Sequence, residues 1–174
     1  VKRVKIPKGP EGYRSLGIPT IRDRVAQMAA KLVIEPIFEA DFCGTSYGFR
    51  PRKSAHDAVD DVAYTLHKGY RKVIDADLSR FFDTIPHAKL MTMVAERISD
   101  GSVLHLIKMW LKTPIVEQGK DGTIRHIDGG KCNRKGTPQG GVISPLLGNV
   151  YLHLLDRIWE GRHIQQRLGA RIVR

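Results

Sequence analysis

Residues 73–83, VIDADLSRFFD, restrict the possible folds of this 174-residue chain more than any other segment. An apolar pair of β-branched residues leads directly into the carboxylates of Asp75, Asp77 and Asp83. Such a run, bounded by polar residues, predicts a core strand that ends at the acids, and we expect that strand over 71–77. Because alternate side chains of a strand share a face, Asp75 and Asp77 should point the same way.

Neighbouring carboxylates of this kind can bind a metal ion. They repel one another, and a proton, a basic partner or a divalent cation relieves the repulsion. Mg²⁺ takes oxygen ligands and engages one or two carboxylates, which leaves positions for substrate phosphates and suits nucleotidyl transfer. The motif alone is weak evidence, since one acid could instead cap a helix or pair with Arg71 or Arg80.

The charge of the whole chain gives these acids a context. There are 29 Lys and Arg residues against 18 Asp and Glu, so the formal net charge is +11. This excess favours a polyanionic partner, nucleic acid before membrane, although a soluble basic enzyme could share it. The isolated Cys43 and Cys132 indicate reduced, intracellular thiols, and no apolar run is long enough to span a bilayer.

Capping signals predict where the helices begin. Residues 20–23 (TIRD) and 54–57 (SAHD) have the form of capping boxes. Pro36 marks a stop or kink in the first helix, and Gly69 closes the second. The dipeptide Ser-Pro at 144–145 forms an N-cap and N1 pair before a long helix. Apolar residues at helical spacing support these helices and two more between them: Val25, Met28, Ala29 and Leu32; Ala58, Val59, Val62, Ala63 and Leu66; Met91, Val94, Ala95 and Ile98; Leu104, Ile107 and Leu111; Leu147, Val150, Tyr151, Leu154 and Ile158.

Strand signals occupy the remaining segments. The first twenty residues predict two short strands joined by a tight turn, and residues 115–135 predict a β-hairpin. The last segment, GARIVR at 169–174, reads as the start of another strand. The chain is therefore expected to be α+β, with no repeat or linker.

Four blocks of the sequence resemble the reverse transcriptase domain of group II intron-encoded proteins. They are RSLGIPT at 14–20, YGFRP at 47–51, DLSRFFD at 77–83 and GTPQGGVISPLLGN at 136–149. The last block is the most specific, and it is more similar to this branch than to retron or retroviral enzymes. The resemblance implies a right-hand polymerase fragment, with fingers over 1–70 and an incomplete palm over 71–174, in which an antiparallel palm sheet packs on helices.

The resemblance also assigns roles within the acidic block. The Asp that opens D-x-x-x-F-F-D binds metal in the family, which implies Asp77 as a Mg²⁺ ligand with the carbonyl of Leu78 beside it. Asp75 would have a supporting role, and Asp83 an architectural hydrogen bond. Phe82 aligns with the ring that lies under the incoming sugar and leaves no room for a 2′-hydroxyl, the group that distinguishes ribose.

The resemblance also implies which residues contact the nucleotide and the template. Lys8 and Arg14 would clamp the triphosphate, the backbone amides of Arg80 and Phe81 would cradle it, and Gln139 would lie near the nascent base pair. The residues implied for template RNA are Arg50, Arg52, Lys53, Gly140 and Gly141. The alternatives are that these Lys and Arg side chains are solvated surface charges and that Phe81 and Phe82 are both core residues. Of the two phenylalanines, we expect Phe81 to be the more buried.

Two departures from the family pattern stand inside the blocks. Ser15 replaces the commoner Pro, and Gly148 stands where Ala is usual. The glycine should weaken its helix by about 1 kcal/mol relative to Ala. We expect neither departure to affect the proposed chemistry.

The implied function is RNA-directed DNA synthesis in the bacterial cytoplasm, with Mg²⁺, an RNA template, a DNA primer and deoxynucleoside triphosphates. A non-catalytic maturase that binds intron RNA is one alternative, and an RNA-templated RNA polymerase, against which Phe82 argues, is another. In the family, further metal-binding acids come from a Tyr-Ala-Asp-Asp hairpin after a strand resembling 169–174. We therefore expect these residues alone to bind nucleic acid but to polymerise poorly, and an uncovered palm surface could support a homodimer.

Overall fold

The computed structural model describes residues 1–7, 9, 12–119 and 122–174, and the side chains of Arg14 and Asp128 are outside the described part. The predicted contact of Lys8 therefore lies outside the described residues. Within them the chain forms seven helices and four strands, which confirms the α+β class.

The strands form one sheet from two hairpins. They are β1 (Lys2–Pro7), β2 (Tyr13–Ile18), β3 (Ile115–Gln118) and β4 (Ile124–Asp128), in the order β2-β1-β3-β4. Both predicted hairpins are present and antiparallel. Lys2 lies opposite Ile18 in one hairpin and opposite Val116 in a parallel pairing with the other. The sheet is thus mixed, because the chain passes through helices before it returns beside β1, a connection that allows parallel pairing.

Helices make up most of the chain. They are α1 (Ile21–Glu39), α2 (Ala55–His67), α3 (Phe81–Thr84), α4 (His87–Ala95), α5 (Gly101–Leu111), α6 (Ser144–Gly161) and α7 (Ile164–Leu168). Both predicted capping signals operate: Asp23 N donates to Thr20 Oγ1 over 3.1 Å, and Ser54 and Asp57 form a reciprocal capping box. Gly69 has φ +103° and ends the turn after α2, as predicted.

One predicted helix boundary is wrong, and one of two alternatives at another is excluded. Of the stop or kink predicted at Pro36, the stop is not formed, because α1 continues to Glu39 and buries Phe38 in the core. Ser144 is the first helical residue rather than the N-cap, a position that Ile143 occupies. The Ser144 hydroxyl donates instead to the carbonyl of Pro138 over 2.9 Å.

The hydrophobic core lies between α1, α4, α5 and α6. Its buried members are Ile34, Phe38, Phe42, Ile85, Leu90, Val94, Ile98, Ile107, Trp110, Leu111, Ile143, Leu146, Leu147 and Val150. The apolar residues that predicted α1 are not among them, since Val25 and Leu32 are exposed and the helix buries Gln27, Ile34 and Phe38 instead. Spacing therefore predicted the helix correctly but not its buried face.

The prediction of a strand over 71–77 is wrong. Residues 71–78, all of them described, have no regular secondary structure and are exposed, with Ile74 at 92% exposure. A strand needs a partner for its backbone hydrogen bonds, and none of the described strands runs beside this segment. Residues 169–174 also form no strand; there Arg174 N donates to Thr45 O over 2.9 Å and Arg174 O accepts from Tyr47 N.

Candidate nucleotide and nucleic-acid site

The fold brings the four sequence blocks together. The bonds that join them are Gly17 N to Gln139 O at 2.6 Å, Thr137 N to Phe82 O at 2.7 Å and Asn149 Nδ2 to Gly48 O at 2.7 Å. They link β2, the loop before α2, the α3 region and the segment that enters α6. Residues separated by more than a hundred positions thereby form one continuous site.

Aromatic rings form one part of this site. The Phe82 centroid lies 5.1 Å from that of Phe81 and 6.4 Å from that of Phe49, both in edge-to-face arrangements. Phe81 and Phe82 are each half-buried against the core, so neither is the single inward ring that alternation suggested. Phe49 is 69% exposed and has φ +55°, a conformation that costs a non-glycine residue about 1–3 kcal/mol.

A polar pair lies beside the rings. Gln139 Nε2 donates to Asp83 Oδ1 over 3.3 Å, so Asp83 makes an architectural hydrogen bond as predicted. Arg80 Nε lies 3.6 Å from the other Asp83 oxygen, and Arg80 has φ +50° at the start of α3. The turn into α3 and the 136–141 segment are thus fastened to each other.

Asp77 is exposed in the irregular segment that precedes this turn. Within the described residues its carboxylate joins no hydrogen bond or ion pair, and Arg80 pairs with Asp83 instead. The alternative in which one of the acids pairs with Arg80 is therefore realised by Asp83 and not by Asp77. An unpaired, exposed carboxylate is a suitable oxygen donor for Mg²⁺.

The glycines at 140–141 are required by close contacts within the protein. Gly140 has φ +112°, and a Cβ there would lie 2.4 Å from Gly17 O. Gly141 is buried, and its Cβ would lie 2.7 Å from Ser144 Oγ. Their predicted contact with template remains a prediction, because the close approach seen here is to protein atoms.

Arg50, for which a contact with template phosphate is predicted, binds protein groups in this structure. Its side chain is 6% exposed, and Nε and Nη2 donate to the Glu39 carboxylate over 2.9–3.1 Å. Nη1 donates to the carbonyls of Cys43 and Ser46, each over 2.7 Å, and the guanidinium lies 5.3 Å from the Phe42 ring centroid. Four of its five N–H donors thus bind protein groups, which indicates a structural role, and its contact with template phosphate stays a prediction.

The other two predicted phosphate contacts lie on the surface nearby. Lys53 Nζ donates to Gly44 O over 3.1 Å and lies 4.6 Å from the Tyr47 ring centroid. Arg52 is exposed and has φ +59°. Because Arg52 is exposed whereas Lys53 already contacts protein groups, Arg52 is the better placed of the two to bind a polyanion.

Sequence reasoning missed two amides that hold the blocks together. Gln27 is buried in α1, and its Oε1 accepts from Val142 N over 2.9 Å just before α6. Asn149 is buried in α6 and binds Gly48 O through Nδ2. The available signal was a polar residue among apolar neighbours on a helix, because a buried amide must find partners.

Tyr47, Asp61 and Arg171 join the loop before α2 to the C-terminal segment. Asp61 accepts from the Tyr47 hydroxyl over 3.0 Å and from Arg171 over 2.9 Å. Burial acts to raise the pKa of Asp61, but these two hydrogen bonds outweigh it and hold the pKa below its ordinary value.

Cys43, His153 and Asp156 place their ligand atoms within 4.8 Å of one another. Burial, followed by a hydrogen bond with Glu160, raises the pKa of the Cys43 thiol to about 11, so it stays protonated near neutral pH. Arg174 already binds both oxygens of Asp156, a residue that is 2% exposed. The Asp156 carboxylate is therefore already paired, so the cluster offers no free carboxylate to a metal ion in this structure.

Comparison with known proteins identifies the class. The family model for reverse transcriptase (RNA-dependent DNA polymerase) matches residues 6–173, and the chain belongs to this family. Within the described residues, none of the helices has the length and apolar character needed to cross a membrane.

The relatives include proteins encoded by group II introns, as the sequence blocks predicted. Protein YkfC of Escherichia coli (strain K12) is 41% identical over 169 residues, which are 94% of this chain and 42% of that protein. The group II intron-encoded protein LtrA of Lactococcus lactis subsp. cremoris is 35% identical over 158 residues, covering 90% and 25%. Nuclear intron maturase 1, mitochondrial, of Arabidopsis thaliana is 28% identical over 190 residues, covering 84% and 27%. The chain thus spans less than half the length of these relatives.

Proposed function

We propose that this chain supplies fingers (1–70) and palm (71–174) of a group II intron reverse transcriptase, which synthesises DNA on an RNA template. The observation that carries the proposal is the meeting of the four blocks, with Phe82 and Gln139 held side by side through Thr137 and Asp83. Family membership supports the same reaction class. The carboxylate of Asp77, which is exposed and lies in the same block as Phe82, would supply a metal-binding group.

In this proposal Asp77 and the carbonyl of Leu78 would hold Mg²⁺. When bound, that ion would neutralise triphosphate charge and stabilise the entering and leaving oxygens. Oxygen donors without another partner fit such a hard cation, and the Asp77 carboxylate has none among the described residues.

The remaining groups bind and orient the nucleotide. Lys8 and Arg14 would hold the triphosphate from the fingers, and the backbone amides of Arg80 and Phe81 would receive its oxygens. The Phe82 ring would lie under the deoxyribose, and Gln139 would contact the nascent base pair. Positioned contacts of this kind lower the barrier by orientation and electrostatics, without a covalent intermediate.

RNA and primer would bind along the basic surface. Arg52 and Lys53 would contact template phosphates, and Gly140 and Gly141 would border the template. A net charge of +11 supports binding that weakens as salt rises, since each phosphate contact releases counterions. An intracellular location, in bacteria, belongs to the same proposal, with both cysteines present as free thiols.

The test is Asp77→Ala in the full-length protein. DNA synthesis from a DNA primer on an RNA template should be lost, while RNA affinity changes by about twofold or less, because an exposed acid makes no phosphate contact. The matched control is Asp60→Ala, which removes an exposed acid from α2 and should leave synthesis unchanged. Retention of synthesis in Asp77→Ala would refute the assignment of this residue as a metal ligand.

A maturase role is the second candidate, favoured by relatives whose names are intron maturases. It predicts that Asp77→Ala still promotes splicing of its intron RNA, because RNA binding does not use the metal. Loss of splicing together with synthesis would argue against an independent maturase role. A homodimer remains a prediction that analytical ultracentrifugation of the chain tests.

A further inference from the structure

Gly148 lies directly behind the two phenylalanine rings of α3. It is buried in α6, and a Cβ at this position would lie 3.0 Å from Phe82 Cε1 and 3.2 Å from Phe81 Cε1. Both distances are shorter than ordinary carbon–carbon contacts. Glycine is a poor residue for a helix interior, so what it provides here is room for the rings.

Phe49 is a further neighbour of the Phe82 ring. Phe49 contacts it edge to face with the centroids 6.4 Å apart, although Phe49 itself is largely exposed and has φ +55°. The loop that carries Phe49 is tied to α6, because Asn149 Nδ2 donates to Gly48 O over 2.7 Å. Consecutive residues of α6 are therefore both connected to the Phe82 ring, Gly148 by its close approach and Asn149 through the loop that carries Phe49.

Room for the rings at Gly148 and a strained aromatic neighbour at Phe49 both bear on the position of the Phe82 ring. Phe49 lies in a turn and buries little surface, so its side chain contributes little to the packing of the core. Its ring edge approaches no described aromatic ring other than Phe82.

We propose that Gly148 and Phe49 are positioning residues for Phe82 and set how strictly the 2′ position of the incoming nucleotide is screened. This inference rests on the proposed function, in which the Phe82 ring lies under the deoxyribose, and it takes the sugar to lie on the face of the ring away from α6. Gly148 lets the ring lie back against the helix, and Phe49 prevents it from tilting further. The ring thus leaves space for deoxyribose but not for ribose.

The test compares Gly148→Ala and Phe49→Ala in the full-length protein, by steady-state incorporation of a deoxynucleoside triphosphate and its matched ribonucleotide. In Gly148→Ala the methyl group pushes the ring towards the sugar by a few tenths of an ångström. We expect kcat/KM for the deoxynucleotide to fall about tenfold, mainly through KM, because small displacements in a positioned site are costly. In Phe49→Ala the ring can tilt, and the ratio of deoxynucleotide to ribonucleotide incorporation should fall about tenfold.

Gly161→Ala is the matched control. Gly161 lies at the end of the same helix, and no described atom lies within 4 Å of the position that an alanine methyl would take there. The substitution therefore changes helix propensity without a new contact, and it should leave both the KM and the selectivity ratio unchanged. Circular dichroism checks that each variant retains its helices.

The possible results distinguish a failure of the positioning role from a failure of the proposed function. If the unmodified protein incorporates no nucleotide, the proposed function is wrong and the inference is overturned with it. If it synthesises DNA but Phe49→Ala keeps the original selectivity, or Gly148→Ala behaves like Gly161→Ala, only the positioning role is overturned. Should Gly148→Ala fail to fold, the selectivity of Phe49→Ala still decides the matter.

Discussion

Replacing Arg50 by methionine separates a structural role from a template contact. The substitution keeps an apolar stem but removes every N–H donor of the guanidinium. It leaves the carbonyls of Cys43 and Ser46 without their partner and the Glu39 carboxylate without its bidentate ion pair. These three acceptors lie where α1 ends and the following loop begins, so the damage is local to that junction.

The expected loss follows from the burial of the pair. Removal of one partner from a buried ion pair costs about 3–5 kcal/mol, and an unsatisfied buried carbonyl costs about 1–3 kcal/mol. The side chain of Glu39 is 20% exposed, so water can partly replace the arginine and the lower end of the range applies. We expect the free energy of unfolding to fall by about 3 kcal/mol, a large fraction of the roughly 5–15 kcal/mol typical of a domain.

Urea denaturation measures this change through the fluorescence of the buried Trp110. Arg52→Met is the matched control, because Arg52 is exposed and its loss should alter stability by about 0.5 kcal/mol or less. RNA affinity measured against salt gives the complementary result, since loss of one phosphate contact lowers the slope of log K against log salt by about 1. The structural role of Arg50 would be refuted if Arg50→Met were as stable as Arg52→Met yet lowered that slope.

Three further predictions follow from local geometry. The pKa of Asp61 is lowered in the folded state, so its contribution to stability is present above the unfolded pKa and is lost as pH falls through the folded pKa. In Asp61→Asn the free energy of unfolding, measured by urea titration, should therefore fall less steeply as the pH is lowered. The thiol of Cys43, with its pKa raised to about 11, should resist iodoacetamide at pH of about 8 until the chain unfolds, whereas the exposed Cys132 reacts first, as peptide mass spectrometry would show. Gly140→Ala should cost about 1–3 kcal/mol in thermal unfolding because of its positive φ and its blocked Cβ position, whereas Gly101→Ala, which has open space, should cost nothing; equal stability of the two would contradict this reasoning.

Local signals in the sequence predicted local structure well. The capping residues Thr20 and Ser54 accept the expected hydrogen bonds, and both hairpins form, because each depends on residues a few positions apart. The strand over 71–77 failed for the opposite reason: β-branched residues favour extended backbone, but a strand exists only where another strand pairs with it. The structural contacts of Arg50 also depend on tertiary structure, because its ion-pair partner Glu39 lies at the end of a different element.

Glycines show why sequence identifies the site more readily than it explains it. The sequence shows a glycine pair at Gly140 and a departure from the usual Ala at Gly148, but not which atoms fill the space at either position. At Gly140 those atoms are the backbone of β2, and at Gly148 they are the rings of α3. Helix propensity alone predicts that Gly148 lowers the stability of its helix by about 1 kcal/mol and has no effect on the chemistry. Judged by its contacts, it supports the ring proposed to select the sugar, so the departure from the family pattern becomes a candidate determinant of selectivity.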